Sequence, residues 1–167
     1  MMETTTHLWA TDSIHNNKPI VILENIRSCY NVGNIIRTAD ALGWSVYIAW
    51  YTPSPHTQPK VKKTSLGAEE SVLVCDFVST DDAISVCREN GYVVVAAEVT
   101  DNALVLGDME ILENTWKRAV VLWNEVVWVE PETLASVDAV VKIPMRGDKE
   151  SLNVWQTAAI FMWELGK

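Results

Sequence analysis

The chain has 167 residues, 49% of them hydrophobic, and a formal net charge of −9. This composition excludes an intrinsically disordered chain and is sufficient for one domain with a substantial core. No apolar run approaches the roughly 18 residues of a membrane helix, and residues 1–7 lack a secretory pattern. The acidic balance argues against a protein that binds nucleic acid over its whole surface, but it leaves room for a local basic patch.

The cysteines and possible metal ligands point to a reducing compartment. Cys29, Cys75 and Cys87 have no metal-binding spacing, and at least two of them lie in apolar runs. We therefore expect buried free thiols, no disulfide and a cytoplasmic protein. No cluster of His, Cys and carboxylate residues has ligand spacing, so no metal is predicted.

Apolar, β-branched runs alternate along the chain with segments of helical spacing. Strands are predicted at residues 19–23, 45–50, 71–77, 92–99, 118–123 and 139–143. Helices or helical turns are predicted at residues 32–42, 80–91, 104–112, 131–135 and 153–165. This alternation predicts an α/β fold with a mostly parallel sheet of about six strands flanked by helices. We expect a single domain over residues 1–167, with residues 1–18 as an N-terminal extension.

Several residues have the chemistry of helix ends. Asn31 is predicted to cap the first helix and Gly43 to close it. Thr80 is predicted to cap the helix that ends at Gly91. Residues 51–70 remain as a long connection, and connections of this length are usually functional.

Polar side chains follow several predicted strands. Asn25, Glu98, Asn124 and Met145 lie at or just past strand ends. Ligands bind beyond the carboxyl ends of the strands in folds of this class. The stretch from residue 118 to residue 155, with two such strand ends and a helix start, therefore predicts a ligand site.

Four segments carry motifs that occur together in this order: residues 25–40 (NIRSCYNVGNIIRTAD), 63–69 (KTSLGAE), 121–125 (VLWNE) and 143–154 (IPMRGDKESLNV). As a set they resemble the SpoU/TrmH-type RNA 2′-O-ribose methyltransferases of the SPOUT superfamily. The resemblance implies a C-terminal trefoil knot, a homodimer, and S-adenosylmethionine bound by the loops of the knot. It also implies methyl transfer to a ribose 2′-hydroxyl. Without the resemblance no knot would be expected, because chains rarely thread their own loops.

Arg37 stands in the middle of an otherwise apolar helix. From the residues alone it is a surface arginine whose stem covers the core. The resemblance makes it the catalytic arginine. Its pKa above about 12 makes deprotonation costly, so we expect it to hold the phosphate beside the reacting ribose and to stabilise the developing alkoxide.

The resemblance adds Asn31, Ser151 and Asn153 to the catalytic set. Each also has a structural interpretation as a residue that caps or opens a helix. The two interpretations are compatible at residues 151–153, because a helix N-terminus supplies partial positive charge where an alkoxide would develop.

The resemblance implies a cofactor site at the later strand ends, formed by Glu98, Leu122, Trp123, Asn124, Glu125, Ile143, Met145, Ser151 and Leu152. A carboxylate is favourable beside a sulfonium, and amides at strand ends can hold an adenosine. The alternative is that the polar members are ordinary turn residues.

RNA-facing residues are implied in the loop after the first strand and in the long connection: Asn25, Arg27, Lys60, Lys63 and Ser65. The alternative is a solvated, charged loop. Phosphate contacts would make RNA binding salt-dependent. Tyr30, Tyr47, Tyr51 and His56 are able to stack on bases, but by default they are core or loop residues.

Four tryptophans depart from the family pattern. Trp50, Trp123, Trp128 and Trp155 stand where relatives usually have glycine or another small residue. The chain has 8 Trp and only 7 Gly, against about 12 Gly from average usage. Glycine loops allow close backbone approach to a ligand, and indoles would fill that space.

Three explanations remain open: an inactive homologue with a filled pocket, an engineered chain, or TGA codons that the source reads as glycine. The restriction to one residue type at small-residue positions favours the third.

The predicted function is therefore S-adenosylmethionine-dependent 2′-O-methylation of RNA, with tRNA favoured because no added RNA-binding domain is evident. The alternative is a catalytically inactive RNA-binding or scaffold homologue whose cofactor pocket is blocked by Trp123, Trp128 and Trp155. Neither a membrane nor a metal is expected as a partner.

Overall fold

The computed structural model of the protein describes residues 17–108, 115–123 and 131–167. It contains a seven-stranded sheet in the order β3-β2-β1-β6-β4-β7-β5. The strands are β1 (Ile20–Glu24), β2 (Ser45–Ala49), β3 (Val74–Phe77), β4 (Val93–Ala97), β5 (Leu104–Val105), β6 (Arg118–Trp123) and β7 (Ala139–Lys142). All six neighbouring pairs run parallel. The α/β prediction is confirmed, with seven strands in place of about six.

The helices cover both faces of the sheet. They are α1 (Cys29–Leu42), α2 (Pro59–Ser65), α3 (Thr80–Glu89), α4 (Pro131–Ser136) and α5 (Val154–Leu165). Successive residues of a strand point to opposite faces. In β1, Val21 packs on the core that holds α1 and α5, while Ile22 packs on the core that holds α3. Because both faces are covered, the central strands are continuous apolar runs.

Two helix starts differ by a few residues from the prediction. Ser28 caps α1, and its hydroxyl accepts the backbone N–H of Asn31 at 3.3 Å, so Asn31 is not the cap. Ser79, rather than Thr80, caps α3. A serine stands three residues before Asn31 and one residue before Thr80. Either residue type satisfies the free N–H groups of a first turn. Gly43 closes α1 with a φ of 75°, as predicted.

The predicted helix at residues 104–112 is wrong at its start. Leu104–Val105 forms the short edge strand β5, which pairs with β7. The backbone N–H of Leu106 then donates to the carbonyl of Lys142 at 2.9 Å. Gly107 follows with a φ of 103°, which ends any helical geometry. Residues 109–112 lie outside the described part.

The long connection at residues 51–70 is partly helical. It contains α2 and a 3₁₀ turn at Ala68–Glu70. The three cysteines are free, but only Cys87 is buried as expected; Cys29 and Cys75 are half-buried. Burial raises the pKa of the Cys75 thiol to about 11 and that of Cys87 to about 12. None of the helices described is long and apolar enough to cross a membrane.

Candidate functional site

A cavity of about 460 Å³ opens at the carboxyl ends of β4, β6 and β7. This is the edge of a parallel sheet at which ligands bind. Every predicted cofactor residue that the structure describes lies in its wall: Glu98, Leu122, Trp123, Ile143, Met145, Ser151 and Leu152. The cavity wall thus includes residues from the stretch 118–155, which the sequence predicts as a ligand site.

The inner wall of the cavity is apolar. Leu122 from β6 and Val141 from β7 are fully buried there, and Phe161 reaches it from α5. Thr157 lies one turn before Phe161 and also lines the cavity. Sequence reasoning missed these two α5 residues, although their spacing of four places them on one helix face.

Glu98 presents its carboxylate at the cavity wall in a fixed position. Its Oε1 accepts the backbone N–H of Val99 at 2.7 Å, and its Oε2 accepts the indole N–H of Trp123 at 3.0 Å. Both oxygens therefore have a donor, while the group remains part of the cavity lining. A carboxylate held in this way is a suitable counter-charge for a cationic ligand.

Three of the four unusual tryptophans lie in the described residues, and their environments differ. Trp123 is half-buried and forms part of the cavity wall. Trp155 is half-buried against the hydrophobic core and is not part of that wall. Trp50 is exposed at the surface. Trp128, like the predicted cofactor residues Asn124 and Glu125, lies outside the described residues.

The residues before α5 combine structural and site positions. Asn153 is the N-cap: its side-chain oxygen accepts the N–H of Trp155 at 3.2 Å, and Gln156 completes a capping box. Ser151 is exposed and lines the cavity, and the described residues show no hydrogen bond from its hydroxyl. Ser151 is thus free to contact a ligand, whereas Asn153 fixes the helix start beside it.

Arg37 lies on the exposed side of α1 and does not line the cofactor cavity. It lines a second cavity, of about 520 Å³, together with Asp40 of α1 and with Ser65 and Ser71. Ser71 donates its hydroxyl to Asp40 at 2.5 Å. Within one chain, the predicted catalytic arginine and the predicted cofactor residues therefore line separate cavities.

Gly33 explains how α1 and α2 fit together. A Cβ at this position would lie 2.5 Å from the Cβ of Thr64 and 2.8 Å from the carbonyl oxygen of Val61. Real Cβ atoms do not approach so closely, so only glycine allows α2 to pack here. The NVG segment thus places the basic helix α2 against the helix that carries Arg37.

The predicted RNA-facing residues are not equally accessible. Arg27, Lys60 and Lys63 are exposed, and Asn25 is half-buried in a left-handed turn with a φ of 51°. Ser65 is buried; its hydroxyl contacts the carbonyl of Val61 and the carboxylate of Glu69.

The Ser65 hydrogen bond lowers the pKa of the Glu69 carboxyl. Ser65 therefore has hydrogen-bond partners inside the protein, and its contact with RNA stays a prediction. Asn31 is half-buried in the first turn of α1.

The cofactor cavity fits S-adenosylmethionine in size and in chemistry. Drug-sized ligands occupy pockets of about 300–1,000 Å³ with mostly apolar walls and a few placed polar groups. Here the apolar wall suits an adenosine, and the carboxylate of Glu98 suits a sulfonium. The described residues contain no group of three or more His, Cys, Asp or Glu that could hold a metal ion.

Comparison with known proteins gives consistent matches. A sequence model of the SpoU rRNA Methylase family matches residues 18–163. The tRNA (guanosine(18)-2′-O)-methyltransferase of Thermus thermophilus is 32% identical over 144 residues, which cover 86% of this chain and 72% of that protein. The Escherichia coli protein of the same name is 29% identical over 145 residues, which cover 86% and 61%.

A solved structure has a similar fold. The AdoMet-bound rRNA methyltransferase of Sinorhizobium meliloti superposes with a TM-score of 0.73 at 26% identity, covering 89% of this chain and 55% of that one. The chain thus spans from about half to three quarters of the length of these three proteins.

Proposed function

The chain belongs to the SpoU rRNA Methylase family, and on that basis we propose that the protein is an S-adenosylmethionine-dependent RNA 2′-O-ribose methyltransferase. One observation carries the proposal beyond family membership. The cavity at the carboxyl ends of β4, β6 and β7 gathers all the predicted cofactor residues that the structure describes. Its open volume does not favour the alternative of a blocked, inactive homologue.

We propose tRNA as the substrate class. The Thermus thermophilus and Escherichia coli relatives are both named as tRNA 2′-O-methyltransferases. The exposed cations Arg27, Lys60 and Lys63 support a local RNA contact in an otherwise acidic chain. Phosphate contacts of this kind position an RNA without selecting its sequence.

When bound, S-adenosylmethionine supplies an electrophilic methyl group on a sulfonium. Leu122 and Ile143 would pack against the adenosine, and Met145 and Leu152 would close the site around it. The fixed carboxylate of Glu98 would offset the sulfonium charge. Catalysis would then depend mainly on alignment of the reacting groups.

The chain's own polar groups would contact the ribose and its adjacent phosphate. Ser151 would orient the 2′-hydroxyl, while the Asn153 cap holds the α5 N-terminus nearby and supplies partial positive charge. Arg37 would hold the adjacent phosphate with its planar guanidinium and stabilise the 2′-oxygen while its proton passes to solvent. The methyl group would move from the sulfonium to this oxygen, and a neutral thioether would leave. Asn31 would support the turn that carries this helix.

We further propose that a homodimer completes the site. Arg37 is absent from the cofactor cavity wall, so a second copy would bring its Arg37 to the cavity of the first. The exposed apolar residues Ile160 and Trp163 on α5 offer a surface for such an assembly. A single knotted domain and a cytoplasmic location complete the proposal; the free thiols support the location.

The test is methyl transfer from labelled S-adenosylmethionine to unfractionated tRNA, with the product mapped for 2′-O-methylation. Arg37→Ala should lower the transfer rate by about 100-fold or more, the usual cost of losing one group that stabilises a developing oxyanion, and leave cofactor binding by calorimetry unchanged. The matched control is Arg88→Ala, which removes only a surface ion pair with Asp138. No transfer to any RNA by the unmodified chain, with cofactor bound, would overturn the proposed function.

Mixed dimers test the shared site. Arg37→Ala and Leu152→Trp are each expected to be inactive, the second because its indole fills the cavity. Co-expressed together, they should recover part of the activity, because one of the two sites in a mixed dimer is intact. No recovery in a verified mixed dimer would mean that each chain builds its own site.

A further inference from the structure

The loop between β2 and α2, residues 50–58, exposes aromatic rings at the carboxyl edge of the sheet. Trp50 is 67% exposed and Tyr51 71% exposed, with ring centroids 5.1 Å apart. Tyr47, in β2 itself, is buried against Phe77. The structure therefore separates the aromatic residues of this region into a core member and a solvent-facing pair.

This β2–α2 loop is anchored to the loop that follows β1. The Thr52 hydroxyl donates to the carbonyl of Leu23 at 3.2 Å and accepts the N–H of Ile26 at 3.1 Å, and both hydrogen bonds are buried. Tyr51 precedes this anchor, and Arg27 follows Ile26 directly. The exposed aromatic pair is thus fixed close to a predicted RNA-facing cation.

A second anchor holds the other end of the loop. Asp76 of β3 accepts hydrogen bonds from the Ser54 hydroxyl and from His56 Nδ1, each at 3.0 Å, and the Ser54 hydroxyl accepts the His56 N–H at 3.1 Å. An ionised carboxylate is an acceptor only, so Nδ1 carries the proton. The His56 ring is 54% exposed, and its Nε2 is left for an external partner.

The loop leads directly into the most basic part of the chain. Lys60, Lys62 and Lys63 are exposed on α2, which begins at Pro59. The whole chain carries a net charge of −9, so this combination of cations and exposed rings is local. Single-stranded nucleic acid is bound by this combination: cations contact the backbone while bases stack on aromatic rings.

We propose that the β2–α2 loop is a stacking surface for an unpaired nucleotide of the RNA substrate. The Tyr51 ring stacks on the base, His56 contacts the same nucleotide through Nε2, and the lysines of α2 neutralise the flanking phosphates. Asp76 acts as a positioning residue that orients His56. This inference rests on the proposed function and adds to it a preference for RNA in which a base is accessible.

The two anchors explain why the β2–α2 loop is suited to stacking on a base. Bases stack on rings whose orientation is already set, since less conformational freedom is then lost on binding. Strand β2 ends at Ala49, directly before the exposed rings. Thr52 and the Ser54–Asp76–His56 network fix the backbone that follows them. Tyr51 has no hydrogen bond or core contact among the described residues apart from the Trp50 ring, so stability does not account for it.

The experiment measures fluorescence anisotropy with two labelled probes, a 12-nucleotide oligoadenylate RNA and an abasic ribose-phosphate strand of equal length. Tyr51→Ala should weaken oligoadenylate binding about tenfold and leave abasic binding unchanged, because only the stacking partner is lost. Tyr51→Phe, which keeps the ring, should bind within twofold of the unmodified chain. His56→Ala should show a smaller loss, again confined to the probe with bases.

Trp116→Ala is the matched control. Trp116 is 56% exposed but precedes β6, at the opposite edge of the parallel sheet from Tyr51. The Trp116→Ala variant should bind both probes with the affinity of the unmodified chain.

The outcomes separate this inference from the proposed function. If Tyr51→Ala lowers the affinity for both probes equally, or for neither, the stacking surface is overturned even if the chain methylates RNA. If the unmodified chain binds neither probe and methylates no tRNA, the proposed function fails as well. If the same loop binds a protein partner and no RNA, the stacking surface is likewise rejected.

Discussion

The cofactor cavity and the Arg37 cavity are built in different ways. The cofactor cavity lies at three strand ends and has a buried apolar wall, with Glu98 held by two hydrogen bonds. The Arg37 cavity lies between a helix and the turn after α2, and polar side chains such as Asp40 and Ser71 line it. We call these regions the cofactor side and the RNA side.

This difference indicates where each side is vulnerable. The cofactor side depends on strands in the middle of a sheet, which share their stability with the whole core. The RNA side depends on the close helix contact at Gly33, on the buried Val61 of α2, and on exposed side chains that pack little. Substitutions should therefore disturb RNA binding through local packing and cofactor binding through the shape of the cavity.

The largest effect is expected from Gly33→Ala. The added methyl would meet Thr64 at 2.5 Å and the backbone of Val61 at 2.8 Å, so α2 must move away from α1. Overpacking of this kind costs about 1–3 kcal/mol of stability. Urea unfolding should show that loss, and RNA binding should weaken with it.

Gly147→Ala is the matched control on the cofactor side. It adds the same methyl to a loop glycine that has no atom within 4 Å of the new Cβ and no left-handed backbone. Its midpoint of unfolding should not change. If the two variants unfold alike, the close contact at Gly33 does not hold the RNA side in place.

The second effect concerns Trp123, the unusual tryptophan that lines the cofactor side. Trp123→Gly removes an indole from the cavity wall and frees Glu98 Oε2 for a sulfonium. We expect the affinity for S-adenosylmethionine, measured by calorimetry, to rise about tenfold, or about 1.4 kcal/mol. Equal or weaker binding would mean that the indole is a productive part of the site.

Trp155→Gly provides the contrast. Trp155 packs on the core and lies outside the cavity wall, so its replacement should lower stability without raising cofactor affinity. The gene offers a direct check of the codon explanation. Any codon other than TGA at positions 50, 123, 128 and 155 would reject it.

Much of the fold follows from local patterns that tertiary contacts reinforce. The strands at residues 118–123 and 139–142 were predictable, because buried parallel strands are continuous β-branched runs. The Asn153 cap was predictable from its position before an apolar helical pattern. By contrast, β5 has only two residues and exists through its pairing with β7, which no local window contains.

Less of the candidate site than of the fold could be predicted from the sequence. Motif residues predicted the members of the cofactor wall, but Phe161 joins it only because α5 packs across β6. The burial of Ser65 depends on how α2 meets α1 at Gly33, a distance that spacing does not encode. The separation of Arg37 from the cofactor cavity is equally a matter of three-dimensional packing.

The third effect is electrostatic and belongs to the RNA side. Lys60→Ala and Lys63→Ala should each weaken RNA binding several-fold at low salt. Each should also reduce the slope of log affinity against log salt by about 0.7, the value for one phosphate contact on a single strand. Lys18→Ala, an exposed lysine before β1 at the opposite sheet edge, should leave the slope unchanged. If Lys60→Ala and Lys63→Ala, like the control Lys18→Ala, leave the slope of log affinity against log salt unchanged, α2 is not part of the RNA-binding surface.

The smallest effect is a change in the pH dependence of stability. The Ser65 hydroxyl holds the pKa of the Glu69 carboxyl below its usual value of 4.5. A depressed carboxyl pKa stabilises the fold above the unfolded pKa, and this contribution is lost as the pH falls through the folded pKa. Ser65→Ala should therefore cost more stability at pH 7 than at pH 3, as measured by urea unfolding.

The same substitution in a Glu69→Gln background separates the two partners of Ser65. There the ionisable group is gone, and Ser65→Ala removes hydrogen bonds only to neutral acceptors, the Val61 carbonyl and the introduced side-chain amide, neither of which depends on pH in this range. In this background, Ser65→Ala should lower the stability by the same amount at pH 7 and at pH 3. A pH-dependent cost in both backgrounds would assign the effect to another group, and Ser65 would no longer link the α2 region to the ionised Glu69.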